Sequence, residues 1–209
     1  MSRQEIEITG RSKDDGVVVS EGAVEIQAQG RPISGQLQRQ GTVHLVIDCS
    51  GSMAGGKLDQ AKRGALDFAT EAREKGYSVG VIQFGSYAAL ICEPQREIAI
   101  LRDKLQQMEI IGSTNMAEGI QLASEQLGGK EGPCVIVIVT DGHPDSRQDA
   151  VRAAQQAKQR GIDIITIGTK DADRRFLAEL ASAKELSVSV SNSQLRQGIA
   201  STAKMLRGV

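Results

Sequence analysis

Three short stretches of this 209-residue chain carry small oxygen donors in an arrangement suited to binding a metal ion. In VHLVIDCSGSM an apolar run ends in Asp48 and continues through Cys49, Ser50, Gly51, Ser52 and Met53. Side chains alternate along extended backbone, so Asp48, Ser50 and Ser52 converge on one point while Cys49 turns toward the interior. A second apolar run, CVIVIVTDG, delivers Asp141 at its end, and GSTN offers Thr114 and Asn115 just ahead of a helix start. Two carboxylates about 6 Å apart repel by about 3 kcal/mol at an effective dielectric near 20, so a cation is expected between them. Hydroxyls and carboxylates with no His or Cys donor select a hard divalent ion. A set with few carboxylates suits hydrated, octahedral Mg²⁺ (or Mn²⁺) better than a Ca²⁺ cage.

Positioning those residues requires strands that end at one pole of a sheet. From residue 43 onward the hydrophobic period switches repeatedly between short buried runs and helical stripes, the pattern of βαβ units. VHLVI (43–47), VGVIQF (79–84), CVIVIV (134–139) and IDIITI (162–167) read as strands. Their near-continuous apolar character predicts a sheet covered on both faces, as parallel sheets are. YAALIC (87–92) reads as a short edge strand and LSVSVS (186–191) as a sixth, more exposed one. Leu58, Ala61, Ala65, Phe68, Ala69 and Ala72 stripe one helix that stops at Lys75-Gly76. Further stripes run through Ile98, Leu101, Leu105 and Met108, and through Met116, Ile120, Ala123 and Leu127. Asp145-Ser-Arg-Gln148 reads as an N-cap with a capping box, opening a helix with Ala150, Ala154 and Ala157. Two last helices use Phe176, Leu177 and Leu180, then Leu195, Ile199, Thr202 and Leu206. The expected fold is α/β: a doubly wound, Rossmann-like, mostly parallel six-stranded sheet with helices on both faces, over residues 41–209. In such sheets ligands bind beyond the carboxyl ends of the strands where the winding reverses, which makes the three donor loops neighbours. Residues 1–40 lack a helical stripe and show alternation at Ile6 and Ile8 and at Val24, Ile26 and Ala28. They read as an N-terminal extension, a β-hairpin or arm packed on the domain.

Composition narrows the partners. A formal net charge of -1 gives no global field toward nucleic acid or an anionic membrane, and no Trp, two Tyr and three Phe leave few stacking platforms for bases. The opening MSRQEIEITGRSKDD interleaves charges with single apolar residues, unlike a secretory signal, and the run from Cys134 to Val139 is too short to cross a bilayer. Cys49, Cys92 and Cys134 are odd in number and widely spaced, arguing against a disulfide framework or a zinc site. A cytoplasmic protein that touches neither nucleic acid nor membrane is the expectation.

Asp48-x-Ser50-x-Ser52, then Thr114, then Asp141, each in its loop context, resembles the metal-ion-dependent adhesion site of von Willebrand factor A domains. The resemblance runs over roughly residues 41–207 and rests on five positions from three elements. It implies that Ser50, Ser52 and Thr114 bind the metal directly or nearly so, with Asp48 and Asp141 acting mostly through water. Anions held one water away leave the metal under-neutralised, and the family fills the vacancy with a partner's Asp or Glu. Met53 after the motif is similar to intracellular and prokaryotic members, whose partners include AAA+ ATPases, kinases and phosphatases. The implied function is metal-dependent protein binding without catalysis.

Rival readings exist for the same residues. GSMAGGK (51–57) fits Gly-x-x-x-x-Gly-Lys of a phosphate loop, which would make the chain a Mg²⁺-dependent nucleotide hydrolase or phosphoesterase. A phosphate loop needs Ser or Thr after the Lys, and Leu58 stands there instead. Lys57 then reads as a solvated first-turn residue. Cys49 with His143 as base suggests a thiol nucleophile, but alternation predicts Cys49 buried and inert. Thr114 by itself could be a helix N-cap, and Asn115 a residue that braces the loop.

Overall fold

The structure, a computed structural model, describes residues 40–209 and, ahead of them, two short antiparallel strands, β1 (Val19–Ser20) and β2 (Ala23–Val24). The expectation of an arm packed on the domain otherwise falls on residues outside those described. Residues 38–209 form a unit of their own.

In that unit the apolar runs become β3 (Gly41–Asp48), β4 (Tyr77–Phe84), β5 (Ala88–Gln95), β6 (Cys134–Thr140), β7 (Asp163–Thr169) and β8 (Ser187–Val190). They form one sheet in the order β5-β4-β3-β6-β7-β8, parallel except for β5, which pairs antiparallel with β4 at the edge. The edge position is what lets β5 extend through Pro94, which has no N–H to give a ladder. β3 is followed by a neighbour on one side, β4, and later by one on the other, β6. The winding therefore reverses at β3, and the crevice between the ends of β3 and β6 is where loops diverge.

Helices cover both faces. Leu45, Ile47, Val137 and Ile165 pack against the buried stripes of α1 (Lys57–Glu74), α2 (Ile98–Gln106) and α6 (Leu195–Thr202). Val46, Ile82, Ile136 and Ile138 pack against α3 (Met116–Leu127), α4 (Arg147–Gln159) and α5 (Arg174–Leu180). β3 to β7 each feed both layers because their residues alternate between them. α1 and α6 cross closely: a Cβ at Gly64 would come within 2.9 Å of Arg196 O and Ile199 Cβ.

One local reading is corrected. The N-cap of α4 is Ser146, whose side chain accepts from the Asp149 N–H. Asp145 is drawn away by a tertiary partner, the N–H of Thr114, which it accepts at 3.0 Å.

Candidate metal centre

Asp48 closes β3 and is fully buried. One carboxylate oxygen, Oδ1, accepts the Ser50 N–H at 2.8 Å, and Oδ2 accepts the Thr140 hydroxyl at 2.6 Å. Thr140 Oγ1 in turn accepts the Gly142 N–H at 3.2 Å. Asp48 thus fixes the turn after its own strand and, through Thr140, the turn after β6. Burial raises its pKa above the usual carboxylate value, hydrogen bonds from Ser50 and Thr140 work against that rise, and the charge of Asp141 adds to it.

From this base the donors come together. The Ser50 and Ser52 hydroxyl oxygens lie 3.0 Å apart, and Ser52 Oγ donates to Asp141 Oδ1 at 2.7 Å. Four of the five residues expected at the site, Asp48, Ser50, Ser52 and Asp141, therefore form one bonded cluster spanning the ends of β3 and β6. Thr114 arrives by its backbone. Gly51 N–H donates to Gly112 O at 2.9 Å and Ile111 N–H to Cys49 O at 2.7 Å, laying the Thr114 loop beside the serine loop. Asp145 holds the loop from the other side, accepting the Thr114 N–H and donating its own to Thr114 O, both at 3.0 Å. The cap of α3 is Asn115, which accepts from Glu118 N–H and donates to its carboxylate. Asn115 is therefore the bracing residue, and capping does not consume the Thr114 hydroxyl.

Sequence reasoning misread one neighbour. Lys57 is no freely solvated first-turn residue: its ammonium is paired with Asp141 Oδ2, and its side chain is only 21% exposed. A cation sits on the carboxylate that Ser52 also uses. Thr140 and Asp145 were missed as well. TDG gave a weak signal for Thr140, since a hydroxyl between a buried strand and a turn can serve both, while the Asp145 partner is distant in sequence.

The donor set fits a hard cation. Neighbouring ligands in an octahedron with metal–oxygen bonds of about 2.0–2.1 Å lie about 2.9 Å apart. The 3.0 Å between the Ser50 and Ser52 hydroxyl oxygens matches that edge, and Asp141, bonded to Ser52 at 2.7 Å, stands beside it. Among the described residues no three His, Cys, Asp or Glu side chains gather as a metal cluster, so any ion here rests largely on hydroxyls. The thiol beside the cluster is inert: Cys49 lies in the core, and burial pushes it up to about 12. His143 is exposed in the turn after Asp141. Leu58, in the position where a phosphate loop needs a hydroxyl, is buried in the core.

Comparison with known proteins is consistent with this geometry. The von Willebrand factor type A domain matches residues 42–202. The chain belongs to that family. A UPF0353 protein of Mycolicibacterium paratuberculosis is 29% identical to this vWA chain over 150 residues, covering 62% of the chain and 44% of the relative. The chain thus spans less than half the length of that relative. A magnesium-chelatase 67 kDa subunit of Heliobacterium mobile is 24% identical over 59% of the chain and 19% of its own length. Among solved structures, the vWF domain of the type V pili tip protein Mfa5 from Porphyromonas gingivalis superposes with a TM-score of 0.72, at 13% identity, over 81% of this chain and 95% of that one. Proximal thread matrix protein 1 of the mussel byssus, with a zinc-occupied MIDAS motif, gives 0.66 at 18% identity, over 78% and 46%. No helix among the described residues is long and apolar enough to cross a membrane.

Proposed function

We propose that this vWA domain is a metal-dependent protein-interaction module and not an enzyme. Ser50, Ser52 and Thr114 would hold Mg²⁺ or Mn²⁺, with Asp48 and Asp141 acting mostly through water. The observation that carries the reading is the pair of serine hydroxyl oxygens 3.0 Å apart, at octahedral spacing, with Asp141 hydrogen-bonded to Ser52 beside them. An ion so held keeps a position open, and its residual charge attracts an Asp or Glu of a protein partner. The family resemblance leaves the partner class as an AAA+ ATPase, a kinase or a phosphatase. Three free cysteines on separate elements fit a reducing compartment, and we place the protein in the cytoplasm. Against catalysis stand the buried, unreactive Cys49 and the lack of a hydroxyl after Lys57.

Calorimetric titration of the full chain with Mn²⁺ tests the site. Wild type binds one ion, and Ser52→Ala or Thr114→Ala abolishes binding while circular dichroism stays unchanged. Water-proton relaxation by the bound Mn²⁺ falls when a Glu-bearing peptide displaces its water. Equal Mn²⁺ affinity in Ser52→Ala and wild type would remove the hydroxyl site from consideration. Mg²⁺-dependent turnover of nucleotides or phosphoesters, lost in Asp48→Ala, would establish an enzyme instead.

A further inference from the structure

Lys57 stands where a lysine is least expected. It is the first residue of α1, and the N-terminal end of a helix carries partial positive charge that disfavours an ammonium. What holds it there is Asp141, whose side chain is fully buried and divides its two oxygens between Lys57 and Ser52. The same ammonium lies 4.0 Å from Asp171 Oδ2, on the loop after β7. Asp171 is 62% exposed along its side chain and accepts a hydrogen bond from Asn192 Nδ2 at 3.1 Å. A second, solvated carboxylate is therefore within a small swing of the first. The joint that would permit the swing is also present. Gly55 and Gly56 precede Lys57 with φ of 72° and 93°, and a Cβ on either would meet nothing within 4 Å. The segment is thus unobstructed on the solvent side.

We infer that Lys57 is a tethered counter-ion that occupies Asp141 when no metal is bound and yields it to the divalent ion, moving toward Asp171. The inference rests on the metal site proposed above and names the residue that sets its affinity. Of the two carboxylates at the site, Asp141 alone is paired with the built-in positive charge, while Asp48 is bonded to Ser50 and Thr140. Without an ion, Lys57 spares buried Asp141 the cost of an unpaired charge. With one, ammonium and metal repel across the shared carboxylate, so binding must overcome that displacement. An ion of single charge gains less from the carboxylates and is disfavoured against a divalent one. The glycine-rich segment that imitates a phosphate loop thereby has a different use, as the flexible mount of an internal competitor.

Mn²⁺ titration of the full chain separates the possibilities. Lys57→Met keeps the length and removes the charge. At about 6 Å and the dielectric of water, repulsion between an ammonium and a divalent ion corresponds to about tenfold, so K57M binds Mn²⁺ about tenfold more tightly than wild type. In chelator K57M melts at a lower temperature than wild type, and its rise on adding Mn²⁺ is larger. Asp171→Asn, which leaves Lys57 in place but removes its second anchor, binds Mn²⁺ about threefold more weakly, within the range of exposed charge pairs. In K57M/D171N the Asp171 substitution has no further effect. Unchanged or weaker Mn²⁺ binding by folded K57M overturns the inference while leaving the metal site intact. If K57M does not fold, unchanged Mn²⁺ binding by D171N overturns it instead. Ser52→Ala that binds Mn²⁺ like wild type overturns both the inference and the site on which it rests.

Discussion

Thr140→Val removes one hydroxyl and almost no volume, and it tests how the two donor loops are held together. Thr140 is fully buried, donates to Asp48 Oδ2 at 2.6 Å and accepts the Gly142 N–H at 3.2 Å. Valine fills the same space but leaves one oxygen of a buried carboxylate and one backbone N–H without that partner. Hydrogen bonds to charged groups contribute about 1.5–3 kcal/mol and neutral ones about 0.5–1.5 kcal/mol, so the loss is about 2–4 kcal/mol. For a domain of this size each kcal/mol shifts the melting temperature by about 2–4 °C, giving a fall of about 5–15 °C. Asp48 also loses one of the interactions that oppose its burial-driven upward shift. Because Asp48 fixes the Ser50 N–H and Thr140 the turn carrying Asp141, divalent-ion affinity drops about tenfold or more, as when outer hydrogen bonds to metal ligands are removed. Calorimetric melting in chelator and Mn²⁺ titration read the two effects separately. A variant that melts within about 1 °C of wild type and binds Mn²⁺ equally would show that Asp48 does not depend on Thr140, against the reasoning from buried hydrogen bonds.

Other perturbations have definite expected outcomes. His44 is fully buried with both ring nitrogens unpartnered, and burial, aided by the charge of Lys130, pulls it down to about 4 from 6.5. A depressed histidine leaves the unfolded chain binding the extra proton between those values, so stability is intact above pH 6.5 and falls as pH drops toward 4. The loss is about 3 kcal/mol, and chemical denaturation of His44→Leu across pH 4–7 should show a correspondingly shallower slope than wild type. Gly64→Ala drives a methyl into Arg196 O and Ile199 Cβ at the α1–α6 crossing and lowers stability by about 1–3 kcal/mol in urea titration, although alanine is the better helix former. Cys49 resists alkylation in the native state and reacts only on unfolding. Rapid labelling of the native protein at Cys49, read by peptide mass, would contradict its burial.

Much of the fold is legible because a sheet covered on both faces writes itself as apolar runs. VHLVI and CVIVIV needed no long-range information to be read as central strands. Small side chains after Asp48 likewise announced a donor loop, but alternation reaches only Ser50 opposite Cys49; Ser52 is brought to the same side by a 3-10 turn over Gly51–Met53. What stayed illegible depended on partners far away in sequence. Asp145 and Ser146 are equally good caps by type, and only the Thr114 N–H decides which one performs the task. Nothing near Lys57 indicates that its ammonium meets a carboxylate 84 positions later, because a first-turn lysine is ordinarily solvated. Thr140 looked like the last residue of a strand, and its second role exists only once β3 lies beside β6.

The Thr114 loop is joined to the serine loop and to the turn after β4 through main-chain pairs: Gly51 to Gly112, Ile111 to Cys49, Asn115 to Gly85 and Ser86 to Ile111. Peptide groups carry no residue identity, so this bracing survives replacement of the side chains that project from it. Tyr87 and Ile110, which are 51% and 41% exposed, stem from the same braced segments, with exposed Ser113 between the pinned positions. The rim around the acidic and hydroxyl cluster can therefore be rewritten, residue by residue, to suit a new binding protein, while the ion-holding centre beneath it keeps its shape.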